Sequence, residues 1–211
     1  GLIFHDKGKF EDAIKNYKMA ILTNPKFAEA YNNMGNSLQE LSEFDQAINA
    51  YEKTIMLNPN HAHAYNNMGV VFKNLGKPNK AMKAFNKSIS LNPDYAEAYS
   101  NIGLTFQNQG KLHEAIEFYN KSILLNPKNA EVHQNLSLSL LNNGKFKEGL
   151  DEYEWRWETP NNFHQRRHFQ QPMWDGKKTL EDKTILVWGE QGPQDMIIWS
   201  SALEYLSSFI L

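Results

Sequence analysis

Four Asn-Pro pairs, Asn24-Pro25, Asn58-Pro59, Asn92-Pro93 and Asn126-Pro127, recur at a constant interval of 34 residues. Self-similarity at such a period marks a chain of stacked supersecondary units, none of which buries its apolar face alone. Chains built this way work through long surfaces rather than enclosed catalytic pockets.

Units counted from Ala28, Ala62, Ala96 and Ala130 align without gaps. The fourth residue of each is Tyr31, Tyr65, Tyr99 or His133, and the seventh is Met34, Met68, Ile102 or Leu136. The eighth is Gly35, Gly69, Gly103 or Ser137, and the eleventh Leu38, Phe72, Phe106 or Leu140. That spacing draws one apolar stripe along a helix. The glycine column lies inside the stripe, where a missing side chain admits a second helix. A break follows, with Gly76, Gly110 and Gly144 in three of the four units. The second helix carries Ala47, Ala81, Ala115 and Gly149 in the twentieth column, then Tyr51, Phe85, Tyr119 and Tyr153 in the twenty-fourth. Proline stops it, and the preceding Asn suits a C-terminal cap. Each unit is therefore expected to be a helix–turn–helix with a small residue facing a small residue at the crossing.

These columns resemble the tetratricopeptide repeat (TPR), and the resemblance covers about residues 1–160. It implies an all-α fold, a right-handed α-solenoid of helix–turn–helix units. The departures, Ser137 and Gly149, fall in the last unit, where an atypical capping repeat is expected. The expected organisation is a partial unit at 1–27, repeats at 28–61, 62–95 and 96–129, and a capping repeat at 130–160. A linker is expected at 161–183, then the truncated start of an α/β, Rossmann-like domain at 184–211.

Projecting the register backwards places Phe4, Gly8, Ala13, Tyr17 and Pro25 in their proper columns, with the start of that first helix missing. The far end stops in an apolar run, Met196 to Leu211, so the chain reads as cut at both ends. The net charge of −2 supplies no general attraction to nucleic acid or anionic membrane. No stretch approaches the roughly 20 apolar residues that span a bilayer. The absence of cysteine removes disulfides, thiolate metal sites and a cysteine nucleophile, and fits a cytoplasmic location. No cofactor is expected.

Successive residues on a helix turn by 100°, so the second, sixth, ninth and thirteenth columns point away from the apolar stripe. They read Glu29, Asn33, Asn36, Glu40; His63, Asn67, Val70, Asn74; Glu97, Asn101, Leu104, Asn108; and Glu131, Asn135, Leu138, Asn142. The sixth column is asparagine in all four units. A carboxamide offers donors and an acceptor, so a row of them can pair with main chain whatever its side chains. In TPR proteins the first helices line the concave side, and this asparagine-lined face resembles the TPR region of O-linked N-acetylglucosamine transferases. The expected groove residues are Asn33, Asn36, Asn67, Asn74, Asn101, Asn108, Asn135 and Asn142, and the expected partner is an extended peptide or protein segment. Neutral hydrogen bonds contribute only about 1 kcal/mol each, so such binding is weak and readily reversed. Val70, Leu104 and Leu138 either add apolar contacts or pack between neighbouring first helices.

After Tyr153 the pattern dissolves. Trp155 and Trp157 are expected to close the solenoid and dock it onto a further domain. His164 and His168 lack the additional ligands that a metal site requires. Thr184 to Trp188 reads as a buried strand, Gly189 to Gln194 as a loop, and a helix begins near Asp195. The stretch from Tyr153 to Asp195 resembles the junction in bacterial proteins where TPR units precede a heptosyltransferase-like glycosyltransferase domain. That resemblance keeps Glu190, Gln191, Gly192 and Asp195 but has Gln194 where the family has glycine. It makes Asp195 a candidate general base, against the alternative that it caps a helix. The functional expectation is a peptide-binding scaffold presenting acceptors to a glycosyltransferase, with a purely adaptor role as the alternative.

Overall fold

The computed structural model describes residues 1–158. The expected linker, the strand from Thr184 and Asp195 lie outside the described residues. Within them the chain is helical throughout: α1 (Leu2–Asp6), α2 (Phe10–Thr23), α3 (Ala28–Glu40), α4 (Phe44–Leu57), α5 (Ala62–Asn74), α6 (Pro78–Leu91), α7 (Ala96–Asn108), α8 (Leu112–Leu125), α9 (Ala130–Asn142) and α10 (Phe146–Tyr153). A 3-10 turn, Glu154–Glu158, closes the series.

The helix ends arise from local chemistry. Asn58 stands at the C-cap of α4 in extended backbone, its N–H still donating to Thr54 O at 2.8 Å. Its carboxamide oxygen then accepts the Asn60 N–H at 3.2 Å, an Asx turn that leads the chain out of the helix. Asn24 and Asn92 repeat the device on Lys26 and Asp94. Between the two helices of a unit the chain needs a left-handed residue. Gly8, Gly76, Gly110 and Gly144 supply it with φ of 66–78°. In the unit begun at Ala28 the same place is held by Ser42 at φ 59°, where a side chain is tolerated only against strain.

The core is a row of aromatic rings between paired helices. Tyr51, Phe85 and Tyr119 are fully buried, each contributing about 2–3 kcal/mol by removal from water. The glycine of the first helix lies under this ring. A Cβ added at Gly35, Gly69 or Gly103 would come within 2.6–2.8 Å of Tyr51, Phe85 or Tyr119. The expected small-against-small crossing is thus corrected in these three units: glycine faces an aromatic ring, because the ring is bulky enough to need a whole missing side chain. In the last unit small does face small. Ser137 donates to Gly149 O at 2.7 Å, and a Cβ on Gly149 would strike Leu141 at 2.8 Å.

A second regularity ties each unit to its own start. Thr54, Ser88 and Ser122 are buried; the two serine hydroxyls donate to Ala62 O and Ala96 O at 2.9 and 2.8 Å, while Thr54 Oγ1 lies 3.3 Å from Ala28 O but nearer, at 3.1 Å, to Ala50 O of its own helix. Between units, α3 touches α5, α5 touches α7 and α7 touches α9, whereas no comparable contact joins α4 to α6 or α6 to α8. The first helices therefore line the tighter side of the stack. That side carries the candidate site.

Candidate functional site

Asn33, Asn36, Asn67, Asn101 and Asn135 are half-buried along α3, α5, α7 and α9, while Asn74, Asn108 and Asn142 are exposed at the helix ends. Two of the sixth-column carboxamides are spent on the neighbouring unit. Asn67 Nδ2 donates to Asn36 Oδ1 at 2.9 Å, and Asn101 Nδ2 donates to Asn66 Oδ1 at 3.1 Å. The acceptor differs because the preceding unit differs: Asn36 occupies the ninth column of its unit, Val70 that of the next. Asn135 lies beyond Leu104 and Ser100, and its side chain makes no hydrogen bond among the described residues. The Asn101 Oδ1 likewise accepts none there, so these two carboxamides retain capacity for a ligand.

Sequence reasoning missed the fifth column. Asn66 is fully buried. Besides accepting from Asn101, it donates to Glu97 Oε1 at 3.1 Å, with Tyr95 Oη and Asn67 Oδ1 at 3.4 Å. Asn32, its counterpart, is also buried, but its Oδ1 meets no hydrogen-bond donor. A paired Asn-Asn at the fifth and sixth columns of two successive units was the available signal. The rotation of 100° between them turns the fifth residue toward the adjoining helix.

Val70 and Leu104 pack against the aromatic clusters between units, whereas Leu138 stays 49% exposed. The ring row beneath has its own polar partners. Tyr51 Oη donates to Asn36 Oδ1 at 2.9 Å and Gln39 Oε1 at 3.3 Å, and Tyr119 Oη donates to Gln107 Oε1 at 2.5 Å. Where the ring is Phe85, the residue equivalent to Gln39 is Lys73, a cation with no acceptor to offer. Burial pushes the Tyr51 and Tyr119 phenols well above their ordinary 10.0, Glu40 and Glu131 respectively adding to the effect. Tyr95 is raised for the same reason, with Glu97 beside it. Burial holds the Lys73 ammonium below its ordinary 10.5, partly countered by Glu131.

The last unit is closed by aromatic and charged side chains. His133 is buried, stacked on Trp155 with ring centres 4.0 Å apart, and its ring nitrogens face the Glu152 carboxylate and Pro127 O. The Arg156 guanidinium lies 4.3 Å from both the Tyr153 and Trp157 rings. Among the described residues no cluster of three metal-ligating side chains forms, and no helix is long and apolar enough to cross a membrane.

Helix pairs of 13 and 14 residues with glycine under a ring in the units begun at Ala28, Ala62 and Ala96, and first helices lining one side, define a repeat scaffold. Models of the tetratricopeptide repeat match residues 28–61, 62–95, 96–129 and 118–151, and a TPR repeat model matches 1–42. The chain belongs to the tetratricopeptide repeat family. Among solved structures, MamA is similar with a TM-score of 0.64 and 26% identity, covering 77% of this chain and 95% of that one. PilF of Pseudomonas aeruginosa aligns with a TM-score of 0.70 at 21% identity over 75% of this chain and 72% of its own. YrrB, described as a TPR protein with an unusual peptide-binding site, aligns at 0.57 and 19% identity over 77% and 84%. The latter two likenesses are of fold alone. No curated protein sequence matches the chain.

Proposed function

We propose that residues 1–158 form a scaffold that holds an extended polypeptide along α3, α5, α7 and α9. The observation that carries this reading is the row of half-exposed asparagines in one column. Asn101 and Asn135 keep hydrogen-bonding groups unspent, and Asn74, Asn108 and Asn142 stand exposed beside them. Each carboxamide pairs with a peptide group as well as with water, so grip comes from number rather than from any one contact. The peptide-binding site ascribed to YrrB on the same fold supports this direction. Selection of a random displayed-peptide library on this chain tests it. Peptides recovered should lose binding by about thirtyfold when Asn101→Ala and Asn135→Ala are combined, two hydrogen bonds at about 1 kcal/mol each. Unchanged binding removes the asparagine face as the site.

A finer reading, in which the scaffold presents acceptors to a glycosyltransferase domain, draws on Glu190, Gln191, Gly192 and Asp195, all outside the described residues. Its support is the sequence resemblance alone, and the adaptor role needs nothing beyond the helices. Sugar transfer from a nucleotide-sugar donor onto a captured peptide, lost in Asp195→Asn, separates the two.

A further inference from the structure

The two seams that join carboxamides are built differently, and one of them leaves a buried atom unsatisfied. At the α5–α7 seam, Asn101 donates to the fifth-column acceptor Asn66 Oδ1 at 3.1 Å, the ninth column there being Val70. At the α3–α5 seam the same donor column has two acceptors before it, Asn32 and Asn36. Asn67 chooses Asn36 Oδ1 at 2.9 Å, an oxygen that also receives the Tyr51 hydroxyl at 2.9 Å. Asn32, only 6% exposed, keeps an Oδ1 with no donor, although its Nδ2 reaches Asn33 Oδ1 at 3.4 Å. One acceptor is doubly engaged and its neighbour is empty, with a single amide serving both columns. A buried acceptor without a partner is costlier than an ordinary hydrogen bond is favourable.

We infer that the α3–α5 seam is the anchor subsite of the groove, taking a main-chain N–H of the bound segment. The incoming N–H occupies Asn36 Oδ1, and Asn67 passes its own N–H to Asn32 Oδ1, as Asn101 already does with Asn66. One hydrogen bond is gained to the ligand, none is lost within the protein, and the orphaned acceptor is satisfied. The seams at Val70 and Leu104 contain no such exchange, because neither side chain can accept. The anchor thus reads the presence of a peptide N–H and ignores the side chain beside it. This inference rests on the groove reading and adds where along it the main chain is gripped.

The probes are a soluble peptide of alternating glycine and serine and the same peptide with sarcosine in place of glycine, titrated into the whole chain. Side-chain amide resonances are monitored by NMR. The Gly-Ser peptide should shift the Asn67 amide pair, and the sarcosine peptide, stripped of half its N–H groups, should shift it several-fold less. Asn32→Leu removes the receiving oxygen and should weaken Gly-Ser binding by roughly fivefold, one hydrogen bond's worth. Asn36→Val copies the residue at Val70 and should place the Asn67 resonances of the free protein where the peptide places them in the unaltered chain. That second variant carries the test should Asn32→Leu fail to fold. Undiminished binding in Asn32→Leu, or Asn67 resonances unmoved in Asn36→Val, overturns the anchor. If Asn101→Ala with Asn135→Ala still weakens the peptide in that case, the groove stands without it. If they do not, both readings fall.

Discussion

The units begun at Ala28, Ala62 and Ala96 and the unit begun at Ala130 meet one packing requirement from opposite sides. In the first three, glycine sits on the leading helix and a buried ring on the second. In the last, Ser137 replaces that glycine, Gly149 appears on the second helix, and Tyr153 is only half-buried. Two helices close to this distance only where one of them gives up its Cβ, and the bulkier partner decides which. The ring does so in the repeated units, and Leu141 does so in the last. Beyond Tyr153, in the terminal 3-10 turn, Trp157 is buried and Trp155 stacks on His133.

The comparison breaks most visibly at the ring. Phe85→Ala should cost about 3–5 kcal/mol, the usual range for emptying a fully buried aromatic site. Tyr153→Ala should cost less than half as much; equal losses in urea unfolding would show that the terminal unit relies on its own ring after all. Gly69→Ala and Gly149→Ala should each cost about 1–3 kcal/mol from overpacking. The gain from helix propensity, up to about 1 kcal/mol, does not offset it, and a stabilised variant at either site would remove the close-approach account. Phe85→Tyr introduces a buried hydroxyl opposite Lys73 and should cost about 1–2 kcal/mol. Adding Lys73→Gln, the residue paired with both buried tyrosines, should recover about 1 kcal/mol in a double-mutant cycle. Smallest is Ser42→Gly, expected to gain up to about 1 kcal/mol by relieving a positive φ, and read as a shift in midpoint.

The architecture was legible because it rests on residues with single-valued chemistry. Asn-Pro ends a helix wherever it falls, glycine at Gly76 marks a left-handed turn, and rings at fixed intervals mark a core. The surroundings of the candidate residues were legible in part. The sixth-column asparagines do share the side lined by first helices, yet two of them are half-consumed by neighbouring units. Nothing about Asn32 or Asn66 in isolation distinguishes them from solvated asparagines; their burial is imposed by a helix one unit away. The hydroxyls of Thr54, Ser88 and Ser122 escaped notice for the same reason, since small polar residues on a second helix read as surface. The pairing of Tyr51 with Gln39, Tyr119 with Gln107 and Phe85 with Lys73 was present in the columns throughout. It acquires meaning only when those columns are brought face to face.

The bonds from Ser88 to Ala62 and from Ser122 to Ala96 begin and end within one period. Each of these two modules is therefore stapled by its own atoms as well as held by its neighbours. Excising one whole period, or duplicating it, would sever none of these staples, so the array can lengthen or shorten by gene-level copying without redesign. What such an event would alter is the order of the seams, with Asn67 on Asn36 at one and Asn101 on Asn66 at the next.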